Sequence, residues 1–259
     1  MNPIDILLIS YHRQEFTRQT IDSIRERTTT PYRLIVVDNG SSVDMQQMLM
    51  DYHMMNVIKV LILLDRNYGL EYAKNTGLRF VDSQPYFVNT DNDLVIEAPT
   101  GEGDWLSKMV KLMGTHPDFG AIAARPQILL GLHDIFRDEP NTKHLTEDGL
   151  VGFYYGGDGP CGGVYRLMRT DAVKKTGWRD DDTSHSRSEE WKICGELKKQ
   201  GLKSGYARYV RAYHLFGYGN WGYNKGEEHY HIAKDFGDPL DTEYDPITCR
   251  PLLEQYGHE

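Results

Sequence analysis

A chain of 259 residues with a formal net charge of −9 suits one large α/β domain, or one domain with an appended tail. The negative balance argues against strong, non-specific nucleic-acid binding, which needs a basic surface. It leaves room for an anionic small molecule, because a bound cation can reverse the local field. Cys161, Cys194 and Cys249 are odd in number and lack metal-ligand spacing, so a disulfide framework is not expected.

The longest apolar runs, residues 34–37 and 60–64, are far too short to span a bilayer. Residues 1–5 lack a charged leader and 6–9 form too short an apolar block for a secretory signal. A cytoplasmic protein without a transmembrane segment is the expectation.

The first half alternates strand and helix signals. Residues 5–10 read as a short apolar strand, after which Phe16, Thr20, Ile21 and Ile24 recur at helical spacing. Pro31 ends that helix, and 33–37 form a second buried strand that stops at Asp38. A helix over 43–53 and a strand over 57–64 follow. Leu70, Ala73, Gly77, Leu78 and Val81 then share a helical face. A fourth strand, 86–90, runs directly into Asp91-Asn92-Asp93.

This order predicts an α/β fold with a mostly parallel, doubly wound sheet flanked by helices. Right-handed crossovers would bring the carboxyl ends of the strands to one edge, where ligands of open α/β sheets bind. The segments leaving strands there are 10–13, 38–42, 65–69 and 91–93. All are polar, and three of them contain Asp.

The second half is less regular. Asp104 caps a helix over 105–116, and 119–124 form another strand. Residues 131–160 read as a long polar functional loop. A strand over 164–168, a short helix over 170–176, a clear helix over 189–200 and an extended run over 203–213 complete the pattern. Residues 216–259 read as a tail packing on or near the site, leaving 1–215 as the principal domain.

Two carboxylates flanking one residue past a buried strand suit a hard cation such as Mn²⁺ or Mg²⁺ that shares its coordination with substrate phosphates. For an isolated D-x-D a solvated turn is the commoner use; the preceding strand and the edge location favour the metal.

The ordered motifs resemble the GT-A glycosyltransferases, in particular the family-2-like inverting group. They are Leu8-Ile9-Ser10-Tyr11-His12-Arg13, Val36-Val37-Asp38-Asn39-Gly40-Ser41, Asn67-Tyr68-Gly69 with Ala73-Lys74-Asn75-Thr76-Gly77, Asp91-Asn92-Asp93, Glu189-Glu190 and His214. The similarity covers roughly residues 4–215. It implies donor contacts from Ser10, Tyr11, Arg13, Asp38, Asn67, Lys74, Asn75, Asp91 and Asn92. Asp93 is expected as the direct metal ligand, with Asp91 and His214 completing the site.

Glu190 is the expected general base. Positions 190, 193, 194 and 197 share one helical face, so Glu190 would point inward with Ile193, Cys194 and Leu197, while Glu189 would face outward. The implied reaction is metal-dependent transfer of a sugar from a nucleotide-diphosphate donor to a hydroxyl of a glycan, lipid-linked or protein acceptor. UDP is the default nucleotide, with GDP and dTDP as alternatives. A retaining GT-A enzyme and a non-catalytic sugar-nucleotide-binding protein remain open. A Rossmann dehydrogenase is disfavoured because no G-x-G-x-x-G follows the first strand.

Overall fold

The structure is a computed structural model, and it describes residues 2–98, 101–128, 143–144, 150–152, 160–178 and 189–215. Ten strands form one mixed sheet: β1 (Ile4–Ser10), β2 (Tyr32–Asp38), β3 (Ile58–Leu63), β4 (Tyr86–Asp91), β5 (Leu94–Ile96), β6 (Phe119–Ile128), β7 (Lys143–His144), β8 (Leu150–Gly152), β9 (Arg166–Arg169) and β10 (Lys203–His214). The helices are α1 (Gln14–Arg27), α2 (Val43–Met54), α3 (Leu70–Leu78), α4 (Trp105–Thr115), α5 (Thr170–Thr176) and α6 (Glu189–Lys199). The strand order is β3-β2-β1-β4-β9-β6-β10-β8-β7, with β5 paired to β10.

β1 is buried along its whole length, as expected for a strand covered on both faces. Its alternation separates two cores. Ile6 and Leu8 pack with Ile21 and Ile24 of α1, Met45 and Leu49 of α2, and Leu106 and Met109 of α4. Leu7 and Ile9 face the other way, toward Ala73 of α3, Val173 of α5, and Ile193 and Leu197 of α6. Helices therefore clothe both faces of the sheet.

The expected parallel arrangement holds across β3, β2, β1 and β4, and again between β6 and β10. It does not extend further: β9 enters antiparallel between β4 and β6, and β5, β7 and β8 also pair antiparallel. A parallel neighbour of β4 would need a crossover before it, whereas β9 starts opposite Asn89 and runs back to Tyr86. Its leading segment, 160–165, therefore lies at the same edge as the end of β4.

Register aligns that edge. Ser10 lies opposite Asp38, Asp38 opposite Leu63, and Ile9 opposite Asp91. Asp104 accepts from the Ser107 amide as the α4 cap, as expected, and also from the Thr29 and Thr30 amides. The larger part of the expected 131–160 loop and the whole 216–259 tail lie outside the described residues, as do Trp221 and Cys249. Among the described residues, no helix is long and apolar enough to cross a membrane.

Candidate donor and metal site

The loops after β2 and β3 are clasped together before any ligand is considered. Asn39 donates from Nδ2 to Asn67 Oδ1 at 2.8 Å, and its own Oδ1 accepts the Tyr68 amide at 3.0 Å. Asn67 Oδ1 also accepts the Gly69 amide. Gly40, at φ +81°, lies so close that a Cβ there would sit 2.2 Å from the Arg66 carbonyl carbon; only glycine fits that backbone and that contact. Asp38 is buried and accepts from Ser10 Oγ (3.0 Å), the Ser41 amide (2.9 Å), Ser41 Oγ (2.6 Å) and Gln46 Nε2 (3.2 Å). Its visible work is to shape the 38–42 turn, and Asn67 is likewise a loop clasp in this geometry. Asn39 was not singled out in the sequence, although Asn beside a glycine after a buried strand is the signal for such a turn.

The loop after β1 carries a backbone anomaly. His12 and Arg13 are consecutive non-glycine residues in the left-handed region, at φ 51° and 55°. Such conformations cost of order 1–3 kcal/mol each and persist where the surroundings over-determine them. Here the surroundings do. The His12 amide donates to Ser41 Oγ at 2.8 Å, and Asn92 Nδ2 donates to the His12 carbonyl at 3.1 Å and to Thr17 Oγ1 at 2.8 Å. Asn92, the middle residue of the acidic triplet, thus welds that triplet to the start of α1. Its side-chain nitrogen is committed to these protein contacts.

The kink aims Arg13 at Asp93: Nη1 lies 2.5 Å from Oδ2, with both residues buried. The Leu215 amide donates to the Asp93 carbonyl, and β5 pairs with the end of β10 through Leu94 and His214. This short antiparallel pairing brings His214 Nε2 to 3.8 Å from Asp93 Oδ1. Asp91 is more open, with its side chain 38% exposed and Oδ1 4.0 Å from Lys74 Nζ. The backbone at Gly163 lies against it, and a Cβ there would approach Asp91 Oδ2 to 2.8 Å.

Behind Asp91 lies a buried charge cluster. Lys74 of α3 and Arg166 of β9 are both fully buried. Glu189 Oε1 is 3.1 Å from Lys74 Nζ and 2.5 Å from Arg166 Nη2, and it accepts from Trp178 Nε1. Arg166 also donates to the Cys161 carbonyl and to Asn89 Oδ1. Burial opposes the Glu189 charge, but Arg166 and then Lys74 outweigh it and hold its carboxyl at about 2.

Glu189 was expected to face solvent and instead faces inward; Glu190 is half-buried. The apolar stripe that set the expectation is shared by both phases, because Ile193, Cys194 and Leu197 are buried in either case. The deciding partners, Lys74 and Arg166, come from other elements. Arg166 was missed, although an arginine in the short apolar run of β9 is itself a signal that a buried counter-charge exists.

Lys74 is therefore directed at Glu189 and Asp91, rather than standing solvated on its helix. Asn75 donates from Nδ2 to the Trp178 carbonyl and accepts the Trp178 amide. Both ends of its side-chain amide thus secure the Trp178 backbone. Ser10 donates to Asp38, and Tyr11 packs against His12 with ring centroids 4.2 Å apart. Trp178 is a core residue, while Trp191 is half exposed.

The donor set formed by Asp91, Asp93 and His214 is two carboxylates and an imidazole. No three His, Cys, Asp or Glu side chains close into a protein cage among the described residues. Carboxylate oxygens are the kind of ligand that a hard cation shares with phosphate oxygens.

A doubly wound sheet with the acidic triplet at its binding edge defines the GT-A class of nucleotide-sugar enzymes. The model of the family described as glycosyl transferase family 2 matches residues 5–177, and the chain belongs to that family. A teichoic acid poly(glycerol phosphate) polymerase of Staphylococcus epidermidis is 34% identical over 95 residues, 36% of this chain and 13% of that protein. The chain thus spans a small fraction of that relative's length. A structure of GalNAc-T7 with UDP, GalNAc and Mn²⁺ superposes with a TM-score of 0.64 at 13% identity, covering 98% of this chain and 54% of that one. A mannosyltransferase of Pyrobaculum calidifontis with GDP-Man and Mn²⁺ does so with a TM-score of 0.61 at 15% identity, covering 98% and 68%.

Proposed function

We propose that this chain transfers a sugar from a nucleotide-diphosphate donor, by default a UDP-sugar, to an acceptor hydroxyl with inversion at the anomeric carbon. The observation that supports this reading is the clustering of charged side chains at one sheet edge: His214 lies 3.8 Å from Asp93, and Lys74 stands between Asp91 and Glu189 of the first turn of α6, the residue before Glu190. The neighbours solved with Mn²⁺ and with UDP or GDP-Man lend the donor class and the metal their support.

Asp93, with Asp91 and His214, would hold Mn²⁺ or Mg²⁺, and the bound ion would supply charge neutralisation for the leaving nucleotide diphosphate. Arg13 faces the same phosphates with a guanidinium suited to paired oxygen acceptors. Ser10 and Tyr11 form the base-side loop, supported by the Asp38 turn. A base contact by Asp38 would share or replace its Ser41 bonds.

Glu190 accepts the proton of the acceptor hydroxyl as that oxygen bonds to the anomeric carbon, opposite the departing nucleotide. Glu189, committed to Arg166 and Lys74, is held ionised by partners that make it a poor proton acceptor. The acceptor is a glycan, a lipid-linked sugar or a protein. A cytoplasmic setting belongs to the same proposal and is supported by the free, buried Cys161 and Cys194.

A thermal-shift screen of UDP-, GDP- and dTDP-sugars with and without Mn²⁺ tests the reading. At a hundredfold excess over Kd the matching donor should raise Tm by roughly 5–10 °C, and only with the metal present. No shift from any donor would remove the proposal. A shift independent of Mn²⁺ would remove its metal half.

A further inference from the structure

We infer that Arg13 withholds Asp93 from the metal until a diphosphate is present, so that donor and cation are taken up as one coupled event. The inference rests on the donor and metal reading above.

Arg13 lies at the N-cap of α1, where the partial positive charge of the helix end disfavours a cation. It is buried, and it sits on two consecutive left-handed residues. Two groups hold that kink from outside through three hydrogen bonds: Ser41 Oγ on the His12 amide, and Asn92 Nδ2 on both the His12 carbonyl and Thr17 Oγ1. The Thr17 amide and hydroxyl both bond the Arg13 carbonyl. An unfavourable backbone at an unfavourable helix end is thus fixed by the same triplet whose last carboxylate receives the guanidinium at 2.5 Å. The contact is built in by the fold.

Asp93 is also the carboxylate nearest His214, at 3.8 Å, and so the expected anchor of the cation. A divalent ion entering alone would meet Arg13 at hydrogen-bonding range of the same carboxylate, with like charges facing each other in a poorly solvated site. A nucleotide diphosphate removes the conflict. Its oxygens accept the guanidinium, Asp93 is released to the cation, and the cation gains phosphate ligands. The exchange gives the guanidinium an anionic partner before and after, whereas metal alone would set two cations against the Asp93 carboxylate. That pattern is a coupling free energy between two ligands, and it is reciprocal.

The test is Mn²⁺ binding followed by electron paramagnetic resonance of the free ion, with no turnover involved. Wild type should bind Mn²⁺ weakly alone and much more tightly with UDP. Arg13→Gln should bind Mn²⁺ alone at least about tenfold more tightly than wild type, within the usual 5–150-fold range of such couplings. Asp93→Asn in that background should abolish the gain. Arg13→Lys, which keeps the positive charge, should stay as weak as wild type, so a general loosening of the loop cannot imitate the result.

Equal Mn²⁺ affinity of wild type and a folded Arg13→Gln protein in the absence of nucleotide would overturn the inference while leaving the metal reading intact, provided wild type binds Mn²⁺ with UDP or GDP. Failure of wild type to bind Mn²⁺ even with nucleotide would overturn the metal reading and this inference together.

Discussion

Glu189 and Glu190 are neighbours with different physical tasks. Glu189 is a buried anion shared by two buried cations, Lys74 and Arg166. Removing one member of such a set costs about 3–5 kcal/mol, because the remaining charges stay buried without compensation. Glu189→Gln should therefore lose about that much stability in urea unfolding, whereas Glu190→Gln should stay within about 0.5 kcal/mol of wild type. Equal stability of the two variants would contradict the cluster. The acid dependence has a definite sign. The carboxyl of Glu189 titrates at about 2 in the folded chain, against an ordinary value of 4.5. Acidification thus protonates the unfolded chain first and favours unfolding. Its stabilisation is complete above 4.5 and disappears as pH falls toward 2, and Glu189→Gln should flatten the stability curve in that window. The sequence showed that one acid of this pair had to face inward. Its pattern pointed Glu190 inward and Glu189 outward, and the structure instead buries Glu189, since neighbouring helix positions are about 100° apart and the same apolar stripe accommodates either phase.

At the scale of elements, the strands that build the site were readable because each carries a short buried apolar run: Ile6–Ile9 in β1, Leu34–Val37 in β2 and Tyr86–Val88 in β4. The caps and breaks at Pro31 and Asp104 were readable from their local chemistry. The direction of β9 was not, because a four-residue run carries no information about which neighbour it will join. Nor was the long-range pairing of β5 with β10 that brings the acidic triplet to His214. The antiparallel entry of β9 has a functional consequence, since it lays the 160–165 segment over Asp91. Gly163→Ala should push the Asp91 carboxylate aside, because a Cβ there would lie 2.8 Å from its Oδ2. The expected effect is a roughly tenfold loss of Mn²⁺-dependent donor affinity, with Tm moving by less than about 2 °C. Calorimetric titration checks it, and an unchanged affinity would show that Asp91 lies outside the donor site. The Asn92 bonds to His12 and Thr17 join elements about 75–80 residues apart in the chain, so this structural task of the asparagine between two aspartates could not be read from its neighbours in sequence.

At the scale of the molecule, a chain of net charge −9 places its buried cations where an anionic donor would need them. Arg13, Lys74 and Arg166 come from the β1–α1 loop, α3 and β9, and each is matched to an acid in the structure. The fold supplies a cluster of matched charges within an acidic protein, and on the proposed reading ligands would enter by exchanging partners with it. The central claim is that Glu190 takes the acceptor proton while the rest of the edge holds donor and metal. The most direct test is Glu190→Gln, assayed in parallel for nucleotide release with an acceptor and for donor binding with Mn²⁺. Turnover should fall by about 10²–10⁴-fold, the usual contribution of a positioned base, while donor affinity stays within about twofold of wild type, as for a group that acts only in the transition state. Undiminished turnover, or a donor affinity that collapses with it, would contradict the account.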